Sequence, residues 1–276
     1  MRGFVIYQLS NLKISCLISR RGVKLRCMEA LFVLFFGLVI GSFLNVVICR
    51  LGHKKSFIAG RSACPKCHKK IVWYDNIPLL SYLILQGRCR QCGKSISWQY
   101  PSVELATAII FLCLFLNFGL SAQFFVALIF SSFLLVIFVY DLKHYLILDQ
   151  VIIPAAVIAF LANIFLGFSI WSLIIAALVG AGFFALQFIV SSGQWVGDGD
   201  IRLGALMGLM LGWPLLLVAL FLAYLIGAIF GLILIALNKK KMSSQIPFGP
   251  FLSGATFLTF IYGQDLLNWY FHLIYF

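Results

Sequence analysis

Asp141 and Asp200 stand where a very hydrophobic chain tolerates charge least. Asp141 directly follows the apolar run from Ala122 to Tyr140, and Asp200 closes Gly197-Asp198-Gly199-Asp200 just ahead of another. Only 8 of the 276 residues are acidic, and carboxylates at membrane borders are expensive and usually functional. Two carboxylates within hydrogen-bonding range cannot both ionise easily, so one proton is shared and the titration belongs to the pair. One acid then activates water while the other protonates the departing amine, which is aspartic-protease chemistry without a covalent intermediate. Plain structural readings stand beside this one. Asp141 pairs with Lys143 or His144, or Asp200 is an ordinary helix N-cap after turn glycines. A helix C-terminus disfavours negative charge, which weakens the structural case for Asp141. Asp198 reads as solvated or turn-forming, and Asp149 as the cap of the following helix. Neither Gly-x-Ser-x-Gly nor His-Glu-x-x-His occurs, and His53, His68, His144 and His272 offer little material for a triad.

A second constellation is made of cysteine. Cys64-Pro-Lys-Cys67 and Cys89-Arg-Gln-Cys92 are Cys-x-x-Cys pairs separated by 21 residues. Each pair presents two thiolates to one ion, and together they complete a tetrahedral Zn²⁺ site. Two redox pairs or four unligated thiols is the bland alternative. No open coordination position is implied, so the metal holds the loop together. His68 reads as solvated, and Cys16, Cys27, Cys49 and Cys113 as packing residues. Between the pairs, Trp73 to Tyr82 is rich in aromatic and apolar residues and suits a small lobe resting on the membrane interface.

The scaffold for these groups is written in the composition. The chain is 63% hydrophobic and 11% charged, with mean hydropathy +1.05. Runs of about 20 apolar residues predict transmembrane helices. Backbone groups in hydrocarbon must pair internally, so the fold class is an all-α bundle; the ten-residue alternation of a β-barrel is absent. Eight spans are expected, near 29–49, 102–119, 121–140, 150–168, 170–192, 203–212, 214–237 and 250–273. Gly212-Trp213-Pro214 divides the last long run, since proline disfavours helix at the residue before it.

Net charge is +13, yet 10 of the 21 Lys and Arg lie between Arg50 and Lys94 and three more form Lys239–Lys241. Clusters beside spans follow the positive-inside rule and meet anionic membrane lipids, which argues against nucleic acid as a partner. With the loop 50–101 in the cytoplasm, alternation puts the junctions 141–149 and 193–202, both aspartates and Lys239–Lys241 on that same side. The first 27 residues carry six basic residues and no acid, and the same alternation puts them outside. Met28 therefore reads as the functional start, or residues 1–27 as loosely structured. The domain reading is a basic extension 1–28, a first span 29–49, a cytoplasmic four-cysteine zinc lobe 50–101 and a membrane peptidase bundle 102–276.

With these pieces assembled, the chain closely resembles the bacterial type IV prepilin peptidases, bifunctional leader peptidases and N-methyltransferases of the inner membrane. The matching residues are Gly41-Ser-Phe-Leu-Asn45 with Val46-Val47, both Cys-x-x-Cys pairs, Trp73 through Tyr82 and Gly87-Arg-Cys-Arg90. Tyr100-Pro101 with Glu104, Asp141, Gly197–Asp200 and Pro247-Phe-Gly-Pro-Phe251 complete the set. The resemblance implies that Asp141 and Asp200 are catalytic. It implies that prepilins and pseudopilins with short basic leaders are cut on the cytoplasmic side after a glycine. It also implies that the new N-terminal residue, usually Phe, is methylated with S-adenosylmethionine.

Two positions depart from the family pattern. Leu148 stands where proline is usual, and Arg202 replaces the usual lysine, keeping charge but changing geometry. Methyl transfer has no residue-level account in the sequence. No Gly-x-Gly-x-x-Gly follows a strand, and a basic loop does not attract a basic leader or a sulfonium. Two other readings remain: the hydrolytic machinery without methyl transfer, against which the zinc loop argues, and a transporter or scaffold using membrane-edge acids for protons, for which no inverted repeat is visible.

Overall fold

The computed structural model describes residues 20–51, 62–237 and 246–275, and among these the chain is helical with two isolated antiparallel bridges. In chain order the helices are α1 (Arg20–Arg50), α2 (Leu80–Ile84), α3 (Gln99–Phe118), α4 (Ala122–His144) and α5 (Asp149–Phe165). They continue as α6 (Ile170–Val190), α7 (Asp198–Leu211), α8 (Leu215–Ala236) and α9 (Gly249–Tyr275). Every expected apolar stretch is thus a helix. Five are long and apolar enough to cross a membrane: α1 from Met28, α3, α4, α6 and α8. The stretch expected as a span at 203–212 forms α7, whose 14 residues rise about 21 Å against roughly 30 Å of hydrocarbon.

α1 already runs through Arg20–Met28, so that part of the extension is helical rather than loose. Cys16, the side chain of Cys27 and Lys239–Lys241 lie outside the described residues. Cys49 and Cys113, expected as packing residues, are exposed on the helix surfaces.

α7 is short because it is central. Leu203, Leu206 and Met207 have no exposed surface, and its far end is held inside the protein, where Asn163 Nδ2 donates to Leu209 O at 2.6 Å and Met210 O at 3.0 Å. Backbone that stops at membrane depth is tolerated when protein groups satisfy it. α6 reaches α7 through small residues. A Cβ on Gly180 would lie 2.2 Å from Gly204 O, and one on Gly208 2.4 Å from Ala176 O. α1 meets α3 the same way, since a Cβ on Gly37 or Gly41 would lie 2.7 Å from the Cα of Ala108 or Glu104. Lipid tails give no hydrophobic drive between helices, so close backbone approach through small residues supplies the packing.

One end of the bundle gathers the functional segments. Asn45 Nδ2 donates to Tyr100 O at 3.0 Å, Lys143 donates to Gln99, Arg202 pairs with Asp149, and Gly249 lies against Asp141. The cysteine loop, the 145–148 and 191–197 junctions and the start of α9 therefore sit together.

Candidate active site and metal centre

Asp141 lies one turn from the end of α4 and is 4% exposed. Its carboxyl accepts the backbone N–H of Gly249. The approach is so close that a Cβ on Gly249 would sit 2.6 Å from Asp141 Oδ2. Lys143 and His144 do not take it: Lys143 donates to Gln99, and the His144 ring lies against Tyr140, with centroids 4.4 Å apart and planes tilted by 34°.

Asp200 is 7% exposed. Gly197, not Asp200, is the N-cap of α7, and Asp200 occupies the third helical position. From there its Oδ2 accepts Gly197 N–H at 3.0 Å while its own N–H donates to Gly197 O at 3.2 Å. This is the reaching-back half of a capping box, so the carboxylate has a structural task alongside any chemical one. The Gly-x-Gly spacing is explained by packing. A Cβ on Gly199 would lie 2.9 Å from Ile147 Cβ, and Ile147 Cδ1 is also 3.3 Å from the Cβ position of Gly249. Ile147 is thus wedged between the glycines that border the two acids, and Asp141 lies near enough to act electrostatically on Asp200.

Around the acids, Arg202 uses its fork twice, pairing with Asp149 and, at 3.1 Å, with Asp198. Asp149 is the first residue of α5 and Leu148 its cap, so the expected capping by Asp149 is replaced by this ion pair. Arginine does here what a lysine's single ammonium does less well, holding the starts of α5 and α7 together. Leu148 enters α5 from extended backbone, with φ −92° and ψ 134°, beyond the narrow range that a proline would impose, φ about −65°. Ile147 and the double pairing of Arg202 carried no chemical signal in the sequence, and Gly249 stood there only within the Pro247–Phe251 motif, because backbone donors and apolar wedges have no residue-type signature.

The four cysteines converge. The Sγ atoms of Cys64, Cys67, Cys89 and Cys92 all lie within 4.8 Å of one another, with Cys64 and Cys92 at 4.0 Å. Four sulfurs on one tetrahedral ion at about 2.3 Å lie roughly 3.8 Å apart, so the cluster fits a metal. Each pair sits on the same tight turn: Cys64 N–H donates to Lys69 O and Cys89 N–H to Lys94 O, at 3.0 and 2.9 Å. The turns use positive φ at His68 (58°) and Gly93 (66°). The Cys67 backbone N–H draws the Cys64 thiol down to about 7, favouring the thiolate that a metal needs. Arg90 Nη2 and Nε clasp Asp75 at 2.7 and 2.9 Å, tying the Trp73–Asn76 turn to the second knuckle. Leu79 N–H donates to buried Glu104 Oε2 at 2.9 Å and pins the lobe to α3.

An all-α polytopic membrane protein with a four-cysteine lobe and two buried aspartates at one end of its bundle is the class defined so far. Residues 35–118 match the bacterial peptidase A24 N-terminal domain, and residues 128–232 match the type IV leader peptidase family. The prepilin leader peptidase/N-methyltransferase of Bacillus subtilis is 35% identical over 244 residues, covering 87% of this chain and 97% of the relative. The proteins of the same name from Aeromonas hydrophila and Pseudomonas aeruginosa are 34% and 32% identical, each covered to 92% of its length by 86% and 87% of this chain. No solved structure matches. The chain belongs to the type IV leader peptidase family.

Proposed function

We propose that this protein is an aspartic endopeptidase of the bacterial inner membrane that removes the leaders of prepilins and pseudopilins at the cytoplasmic face. It then N-methylates the new N-terminal residue with S-adenosylmethionine, which supplies an electrophilic methyl group. The names of the relatives support both activities. The observation that carries the peptidase reading is the placement of Asp141 and Asp200 on either side of Ile147, each with one backbone N–H on its carboxyl. Those donors fix the side chains and leave the remaining oxygens for water. One shared proton lets one acid activate that water while the other protonates the leaving nitrogen. The cytoplasmic assignment rests on the basic residues of the cysteine loop, which lies at the same end as the acids.

Cys64, Cys67, Cys89 and Cys92 hold a structural Zn²⁺ in this reading. It crosslinks two turns of a lobe too small to have a core of its own. Exposed Trp73, Leu83 and Trp98 give that lobe an interfacial surface toward lipid headgroups.

The test is Asp141→Asn and Asp200→Asn assayed on a prepilin in detergent. The Asn oxygen still accepts the Gly197 N–H, so the Asp200 variant should fold and yet release no leader. Full activity in either variant would remove that residue from catalysis.

A further inference from the structure

Two polar side chains bridge α6 and α8. Tyr224 is the one residue of α8 with a polar side chain, and Gln187 is the one amide of α6. The Tyr224 hydroxyl donates to Gln187 Oε1 at 2.8 Å. Both stand level with Asp200. α7 and α8 leave the same turn, with Asp200 11 residues before Leu211 and Tyr224 nine after Leu215. At the rise of a helix they sit about 17 and about 14 Å from that turn, and Asp200 lies near enough to act electrostatically on Tyr224. On the other side, α6 meets α7 with Gly180 against Gly204 and Ala176 against Gly208. That antiparallel register, continued, puts Phe184 opposite Asp200 and Gln187 opposite Gly197, whose N–H holds the Asp200 carboxyl.

Packing sets the Tyr224 ring. Its centroid lies 5.0 Å from that of Phe248 and 5.8 Å from that of Phe183, both edge-on. Phe248 adjoins Gly249, the backbone donor to Asp141, so the same aromatic wall reaches the first acid. Tyr224 stays 37% exposed and Gln187 is half-buried, which leaves the pair accessible. Their hydrogen bond uses the phenol proton and the amide oxygen. Two Gln187 N–H groups and the phenol lone pairs are left over, with no further protein partner among the described residues. Polar groups within lipid-spanning helices are costly and mark function. Bonding between helices accounts for the shared bond but not for the groups left over.

We propose that Gln187 and Tyr224 hold one peptide group of the substrate backbone beside the acids, the Gln187 amide donating to its carbonyl and the Tyr224 oxygen accepting its N–H. The inference rests on the reading above, that Asp141 and Asp200 cut a peptide bond. A segment must be unwound for water and two acids to reach one of its bonds, and unwound residues have no intrahelical partners. Such backbone is tolerated at membrane depth only where protein groups satisfy it, since a buried donor or acceptor left unmade costs its full desolvation. One side-chain amide and one phenol oxygen supply a donor and an acceptor, the complement of a peptide group. What they recognise is an unwound backbone and not a particular side chain. Gln187 and Tyr224 bind and position, and the acids carry the chemistry.

The experiment measures kcat/KM on a prepilin and the thermal midpoint of the full chain in detergent. Tyr224→Phe keeps the ring against Phe183 and Phe248 and removes only the oxygen. It and Gln187→Leu should each lower kcat/KM about tenfold with the midpoint little changed. Wild-type kcat/KM in both variants overturns the assignment, and so does a loss of activity that only follows a loss of stability, as helix bonding alone would give. A second arm pairs the protein with prepilins in which one backbone amide near the cut is replaced by an ester, which removes that N–H. At the bond Tyr224 holds, the ester should slow the wild type about tenfold and add little to the loss in Tyr224→Phe, because both changes delete one contact. Losses that multiply fully at every bond tested overturn the contact. A wild-type chain that cuts no prepilin overturns the peptidase reading and this inference with it, a result distinct from variant-specific or bond-specific effects.

Discussion

Gly249 is the residue whose smallest change should matter most. A methyl group there would occupy the space of Asp141 Oδ2, which lies 2.6 Å from its Cβ position, and would push the carboxyl off its backbone donor. Misplacement of a reacting group by about 1 Å costs on the order of 100-fold in rate. Gly249→Ala should therefore lower leader cleavage at least that much, measured as kcat/KM on a prepilin, with thermal stability little changed. Arg202 argues the opposite balance. Its pairs with Asp149 and Asp198 are exposed, so each is worth about 0–1 kcal/mol, and Arg202→Ala should shift Tm only slightly. Its value is positional, holding the start of α7 beside α5, so kcat should fall further than stability. Arg202→Lys, which keeps the charge but loses the fork, should fall between the two in kcat.

Among the helices, α7 decides where Asp200 stands, and α7 is placed by its contact with α6. The Gly180–Gly204 and Ala176–Gly208 approaches leave no room for a side chain. Gly204→Leu should separate the helices, with overpacking costing about 1–3 kcal/mol and cleavage lost with it. Gly182→Leu on the same α6 helix, where a Cβ meets nothing within 4 Å, should leave both the unfolding midpoint and activity near wild type. Equal loss in both variants would sink this account of α7. The eight apolar stretches were legible as helices because hydropathy and proline punctuation suffice for that. The role of 203–212 was not, since a fully apolar ten-residue run reads the same whether it crosses lipid or ends inside the protein against Asn163.

The whole molecule joins a lipid-facing bundle to a lobe that has little buried apolar surface. Removing metal should therefore affect the two parts unequally. Chelation, or Cys64→Ser with Cys89→Ser, should release about one zinc per chain. Proteases should then cut within 62–98 while the helices remain, as read by metal analysis and limited proteolysis. A metal-free wild type with a protease-resistant lobe would overturn the structural zinc site. The residue types alone were enough for the membrane class, the four-cysteine cluster and the two suspect acids. Each follows from a local quantity: hydropathy, ligand spacing, or the cost of a charge beside lipid. The meeting of Asp141 with Gly249, the wedge of Ile147, the burial of α7 and the Leu79–Glu104 hydrogen bond beneath the lobe became visible only in the folded chain. They depend on helices far apart in sequence approaching to within a methyl group, and no local pattern encodes which glycine will face which acid.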